Sequence, residues 1–140
     1  MTDRYAVIGY PLGHTISPAF QQAAFNALGI NARYESLETE PADLPERARE
    51  LRSGKLAGIN VTIPHKLAIV DELDHVSEIA RLTGAVNTVS VTPDGLLGDN
   101  TDVGAIETML ERAGVPAGVP ALLLGAGGAA RAALGALLNR

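Results

Sequence analysis

Apolar residues fall along this chain in two alternating rhythms: short unbroken runs that suit buried strands, and spaced positions that suit one face of a helix. Tyr5 to Gly9 is an apolar run stopped by glycine. Ser17 then offers a capping hydroxyl with Pro18 at the first helical position, and Phe20, Ala23, Ala24 and Leu28 recur at helical spacing before Gly29. Ala32 to Leu37 reads as a second strand. Asp43 to Ser53 reads as a helix with Leu44, Ala48 and Leu51 inward and Gly54 as its stop. Ala57 to Ile63 is a third strand ended by Pro64, and helical material is expected from Lys66 to Leu82. Val86–Val91 and Gly95–Gly98 form a hairpin pattern around Thr92-Pro93-Asp94-Gly95. Helical spacing resumes near Thr101, with Val103, Ile106, Met109 or Leu110, and Ala113 on one face and Gly114 after it. A Gly/Pro loop (114–120), an apolar strand (121–125) and an alanine-rich helix complete the chain.

Strand–helix alternation of this kind predicts an α/β fold: an open, mostly parallel mixed sheet with helices on both faces. A second strand–turn–helix unit begins at Pro120. One such unit cannot bury its own faces, so the chain reads as part of something longer.

Composition narrows the function classes. The chain has 140 residues, 46% of them hydrophobic and 19% charged, which suits a folded domain rather than a disordered one. A net charge of −5 provides no basic footprint, so nucleic acid and anionic membrane are not expected partners. The absence of cysteine excludes disulfides, thiolate metal sites and cysteine nucleophiles. No apolar run approaches membrane-spanning length and no signal peptide is recognisable, so the cytoplasm is expected. Asn60-Val61-Thr62 matches a glycosylation sequon, an accident in a chain without a secretion signal.

Four stretches carry chemistry. In "LLLGAGGAAR" (122–131), Gly125, Gly127 and Ala130 have the G-x-G-x-x-A spacing between an apolar run and a helix. That context suits a dinucleotide pyrophosphate against backbone N–H groups, the alternative being a tight turn with small residues for packing. The residue that reads the ribose would lie beyond residue 140, so this stretch does not choose NAD or NADP. "NVTIPHK" (60–66) places Thr62, His65 and Lys66 at the carboxyl end of a strand. A lysine in a partly desolvated cleft qualifies as a general acid/base, whereas in isolation it reads as a surface lysine. His65 reads as a surface or supporting residue, with no metal partner at ligand spacing. "GAVNTVSV" and "GDNTDVG" bring Asn87, Asn100, Thr101 and Asp102, with helix capping as the competing role for Asp99 and Asn100. A charged Asp102 beside Lys66 would hold and polarise the ammonium.

With "GYPLGHTISP" (9–18), these pieces in this order and spacing resemble the shikimate dehydrogenase family over residues 5–131. The resemblance implies a substrate domain over 1–103, a linking helix and loop over 104–118, and the start of a Rossmann NADP domain over 119–140. It also implies reversible reduction of 3-dehydroshikimate to shikimate with NADPH, without a metal and with a homodimer left open. On the matching positions, Thr15 and Ser17 would hold the substrate carboxylate, and Thr62, Asn87 and Asp102 the ring hydroxyls. Lys66 would be the acid/base with Asp102 as its partner. Gly125, Ala126, Gly127, Gly128 and Ala129 would line the cofactor phosphates. The family commonly has serine where this chain has Thr15, and its substrate-contacting C-terminal glutamine has no counterpart here. Quinate as main substrate, or a binding module without turnover, are the alternatives.

Overall fold

The first apolar run becomes β1 (Asp3–Gly9), an inner strand of the sheet, and its alternation sorts two cores. Ala6 and Ile8 enter one cluster and Tyr5 and Val7 the other, so successive side chains of one strand feed opposite faces of the sheet. The computed structural model describes residues 2–139; Met1 and Arg140, the outer residues of the expected domain division, lie outside the described residues.

After β1 come α1 (Ser17–Ala27), β2 (Ala32–Glu38), α2 (Leu44–Arg52), β3 (Gly58–Val61), β4 (His75–Val76) and α3 (Glu78–Thr83). The hairpin strands β5 (Thr88–Thr92) and β6 (Gly95–Asp99) follow, then α4 (Asp102–Arg112) and α5 (Gly128–Leu138). The six strands lie in the order β2-β1-β3-β5-β6-β4. β1 runs parallel to β2 and β3, β5 is antiparallel to both β3 and β6, and β4 is parallel to β6. The expected α/β fold with a mostly parallel mixed sheet is the one observed.

The larger core lies under α2, where the predicted stripe Leu44, Ala48 and Leu51 packs on Ile8, Ile59 and Val89. On the opposite face Phe25 of α1 meets Tyr5 and Tyr34, at ring-centroid distances of 5.4 and 6.3 Å. Tyr34 donates to Asn60 Oδ1 at 2.6 Å, and burial pushes its phenol up to about 12.

Several expected elements take a different form. Helix α1 has Ile16 at its N-cap and no side-chain cap, so Ser17 is already helical. Phe20, Ala23, Ala24 and Leu28, the positions at helical spacing, are all exposed. Gln22 overrides the apolar pattern: it donates to Ala32 O and accepts from Tyr34 N, both at 3.0 Å, which ties the Gln22–Phe25 side of the helix to β2. The expected helix over 66–82 breaks into a 3-10 turn (Ala68–Glu72), β4 and α3, because Ser77 caps a new helix by accepting from Ala80 N at 3.1 Å. Met109 and Ala113 stay exposed on α4. The apolar run 121–125 forms no strand, and Leu122 and Leu124 are 86% and 84% exposed. A strand needs a ladder partner, and among the described residues none lies beside this run.

Asp74, just before β4, accepts from Leu96 N at 2.8 Å and pairs with Arg52 of α2. The Arg52 hydrogen bond and then the Leu96 amide hold its carboxyl below the usual range. A lowered folded-state pKa contributes stability above the unfolded value, about 3.9, and that contribution is lost as pH falls through the folded one. Asp74→Asn is therefore expected to flatten the acid limb of the stability profile below about pH 4, read as unfolding midpoints against pH. An unchanged acid limb would assign that limb to other carboxylates.

Candidate active site

Strand register gathers the polar residues at one edge of the sheet. β1, β2 and β3 are parallel, so Tyr10–Ser17, Thr39 and Thr62–Lys66 all leave from their carboxyl ends. β5 runs the other way, with Asn60 opposite Thr88, which brings Asn87 to the same edge. β6 reverses again, and Thr88 opposite Asp99 delivers Asn100, Thr101 and Asp102 there too. Backbone bonds close the edge: Thr62 N to Ile8 O at 2.9 Å, Tyr10 N to Ile63 O at 3.0 Å and Val86 N to Lys66 O at 2.8 Å. Gly9 permits this approach, since a Cβ there would lie 2.5 Å from Thr62 Cγ2 and 2.8 Å from Ile63 O.

On this edge Lys66 Nζ donates to Asp102 Oδ2, and Asn87 Nδ2 donates to Asp102 Oδ1 at 2.7 Å. The expected Lys66–Asp102 pair is thus formed, with the lysine side chain 15% and the aspartate 30% exposed. Covered stems and a reachable carboxylate suit a charge pair that must meet a ligand. Asn87 is held in turn, its Oδ1 accepting from Thr101 N at 3.0 Å. Asp102 is the first residue of α4, where the helix dipole favours its charged form.

Asn100 stands just before Thr101, the N-cap of α4, rather than at the cap itself. It is buried, its Oδ1 accepts from Asp102 N at 3.1 Å, and its Nδ2 donates to Ala85 O at 2.9 Å and Thr83 Oγ1 at 3.2 Å. His65 is not a surface residue: it is 1% exposed. Its Nε2 lies 2.7 Å from Thr39 O, and because a carbonyl only accepts, that nitrogen carries the hydrogen. Among the described residues no group of three or more potential metal ligands forms.

The loop after β1 lines its own cleft, from Tyr10 to Thr15, with Thr62 and Ile63 on the far wall. Thr15 Oγ1 accepts from Ser17 N at 3.3 Å, leaving its O–H free to donate outward. Ser17 does not line the cleft; it stands one residue inside α1, beside it. Glu38, at the end of β2, accepts from Leu12 N at 3.0 Å and steadies the loop. A glutamate at a strand end has no motif around it in the sequence, so only the fold shows this anchor.

Thr62 also borders a second cavity of about 580 Å³, lined by Lys66, Gly125, Gly127, Gly128 and Ala129. Ala126 faces away, into a groove with Leu82 and Leu134. Gly127 is the N-cap of α5, with extended backbone and no side-chain cap, and a Cβ added there would meet nothing within 4 Å. Open space before uncapped helix N–H groups fits a phosphate, so the glycine turn suits the pyrophosphate of a dinucleotide.

Fold and edge together give an α/β domain whose Lys66–Asp102 pair reaches a glycine-turn cavity through the lysine. The family described as "Shikimate dehydrogenase substrate binding domain" matches residues 7–89, and the chain belongs to the shikimate dehydrogenase family. It is 44% identical over 138 residues to the shikimate dehydrogenase (NADP(+)) of Dictyoglomus thermophilum, covering 99% of this chain and 50% of that protein. The chain therefore spans about half the length of the curated relatives it matches. The shikimate 5-dehydrogenase of Thermus thermophilus, solved with NADP(H) and shikimate, superposes with a TM-score of 0.89 at 42% identity, over 99% of this chain and 52% of that one. The ligand-free 5-ketofructose reductase of Gluconobacter superposes at 0.83 with 33% identity, over 95% and 48%.

Proposed function

We propose that this chain is the substrate domain and opening cofactor turn of an NADP-dependent shikimate dehydrogenase. One observation carries the reading: the Lys66–Asp102–Asn87 chain of hydrogen bonds sits where Thr62 joins the loop cleft to the glycine-turn cavity. Residues 1–103 are the shikimate-binding unit, 104–118 the link, and 119–140 the start of a Rossmann cofactor domain. Cytoplasmic placement and a homodimer belong to the same reading.

Thr15 binds the substrate carboxylate from the cleft with Ser17 beside it, the Thr15 hydroxyl donating because an ionised carboxylate only accepts. Thr62, Asn87 and Asp102 bind the ring hydroxyls and fix which one reaches Lys66. A bound NADP would supply the hydride acceptor for shikimate oxidation and, in its reduced form, the hydride donor for 3-dehydroshikimate. In the oxidation Lys66 Nζ takes the hydroxyl proton as the neutral amine, and in the reduction it gives that proton to the carbonyl oxygen as the ammonium. Asp102 keeps the amine within reach of that oxygen and offsets its charge. Gly125, Gly127, Gly128 and Ala129, which line the cavity, would hold the pyrophosphate with backbone N–H groups, and Ala126 would shape the turn from behind.

Equilibrium titration of the folded 140-residue chain with shikimate, and with quinate beside it, tests this reading. Saturable shikimate binding supports it, and a clear preference for quinate moves the substrate assignment to that acid. Binding of both without NADP-dependent turnover in the parent protein leaves a capture module. Thr15→Ala is expected to weaken shikimate binding about tenfold, the worth of one hydrogen bond to a charged group. Thr15→Ser, which keeps the hydroxyl, should restore most of it; equal losses in both would remove Thr15 from the carboxylate site.

A further inference from the structure

Gly128 is the first residue of α5, and its backbone does not require glycine, since it has no left-handed φ. What it lacks is room. A Cβ at Gly128 would lie 2.9 Å from Lys66 Cβ, 2.9 Å from Lys66 Cδ and 3.4 Å from Lys66 Cγ. Such distances fall inside van der Waals contact, and the crowded atoms belong to the root of the lysine side chain rather than its mobile tip. The far end of the same helix is fixed independently: Ala132 and Ala136 are fully buried against Val103, and a Cβ on Gly135 would stand 3.2 Å from Thr83 Cγ2. Residues 128, 132, 135 and 136 share one face, so α5 is seated on α3 and α4 and carries Gly128 onto the lysine stem.

We propose that Gly128 is a positioning residue for Lys66: its bare Cα forms the wall against which the lysine stem lies, and this aims Nζ at Asp102. The proposal rests on the role of Lys66 given above and adds a second duty to a glycine otherwise assigned only to phosphate. The cofactor turn and the acid/base are then one mechanical unit, and crowding the turn misaims the amine even before any cofactor binds.

Gly128→Ala in the parent protein is expected to lower kcat at saturating NADP and shikimate by about tenfold or more, with the shikimate Kd within about twofold of wild type. In the 140-residue chain without ligands, the Lys66 ammonium signal in heteronuclear NMR should lose its hydrogen-bonded character in Gly128→Ala. It should keep it in Gly135→Ala, which crowds the same helix against Thr83 instead. An unchanged ammonium signal with only the KM for NADP raised would overturn the proposal and leave Gly128 a phosphate contact. Equal loss of the signal in Gly135→Ala would overturn it too, assigning the effect to displacement of the whole helix. Should Gly128→Ala fail to fold, wild type decides: cross-relaxation between the Gly128 Hα and Lys66 Hβ and Hδ protons is expected, and its absence from the folded chain sinks the contact. A parent protein without NADP-dependent shikimate oxidation would refute the functional reading, while the ligand-free NMR comparison would still judge the contact.

Discussion

Lys66→Ala is expected to lower NADP-dependent turnover of shikimate in the parent protein by about 10³-fold, while the 140-residue chain keeps its shikimate affinity within a few fold. The asymmetry follows from what the side chain touches. Its donor lies on Asp102 and its stem against Gly128, so truncation removes a proton carrier and leaves the backbone of the edge intact. Thr62 is held by its amide to Ile8 O, and Asn87 by Thr101, neither through the lysine. The check is single-turnover kinetics beside a binding isotherm. Near-normal turnover would remove Lys66 from the acid/base role.

Asp102→Asn should cost both rate and affinity: about 10²-fold in turnover and about tenfold in shikimate binding. Asp102 serves three partners at once. It holds Lys66 through Oδ2 and accepts from Asn87 through Oδ1, and its own amide is fixed by Asn100. The neutral amide keeps the shape, but one oxygen becomes a donor that faces either the lysine or the asparagine donor. The same change weakens the start of α4 by about 0.3–1 kcal/mol through the lost dipole interaction. Thermal unfolding measured beside kinetics separates the two effects. A variant that loses stability alone would reduce Asp102 to the opening residue of a helix.

Much of this edge was legible in the chain itself, because the spacing of short apolar runs determines which polar residues follow a strand. The Thr92–Gly95 turn is a local signal, and with it came the reversal that returns Asn87 and Asp102 to the edge of Thr62. Longer-range competition was not legible. Helix α1 turns on the two hydrogen bonds of Gln22 to β2, which no count of apolar positions anticipates. Burial of His65 depends on a carbonyl 26 residues away in sequence. The run 121–125, Ala-Leu-Leu-Leu-Gly, is apolar enough for a buried strand, yet among the described residues it has no neighbour to bond, which no pattern within the run reveals.

The β5–β6 hairpin has one further consequence. Its open end carries Asn87 and Asp99 and its closed end is the Thr92–Gly95 turn at the opposite edge, so one ladder joins the two. A single-residue slip at the turn would move Asn87 by about 3.3 Å relative to Asp102 and exchange the two faces of the strand. Evolution can therefore retune the spacing of the site, or ruin it, by inserting or deleting residues in a remote surface turn while every residue of the polar edge stays the same.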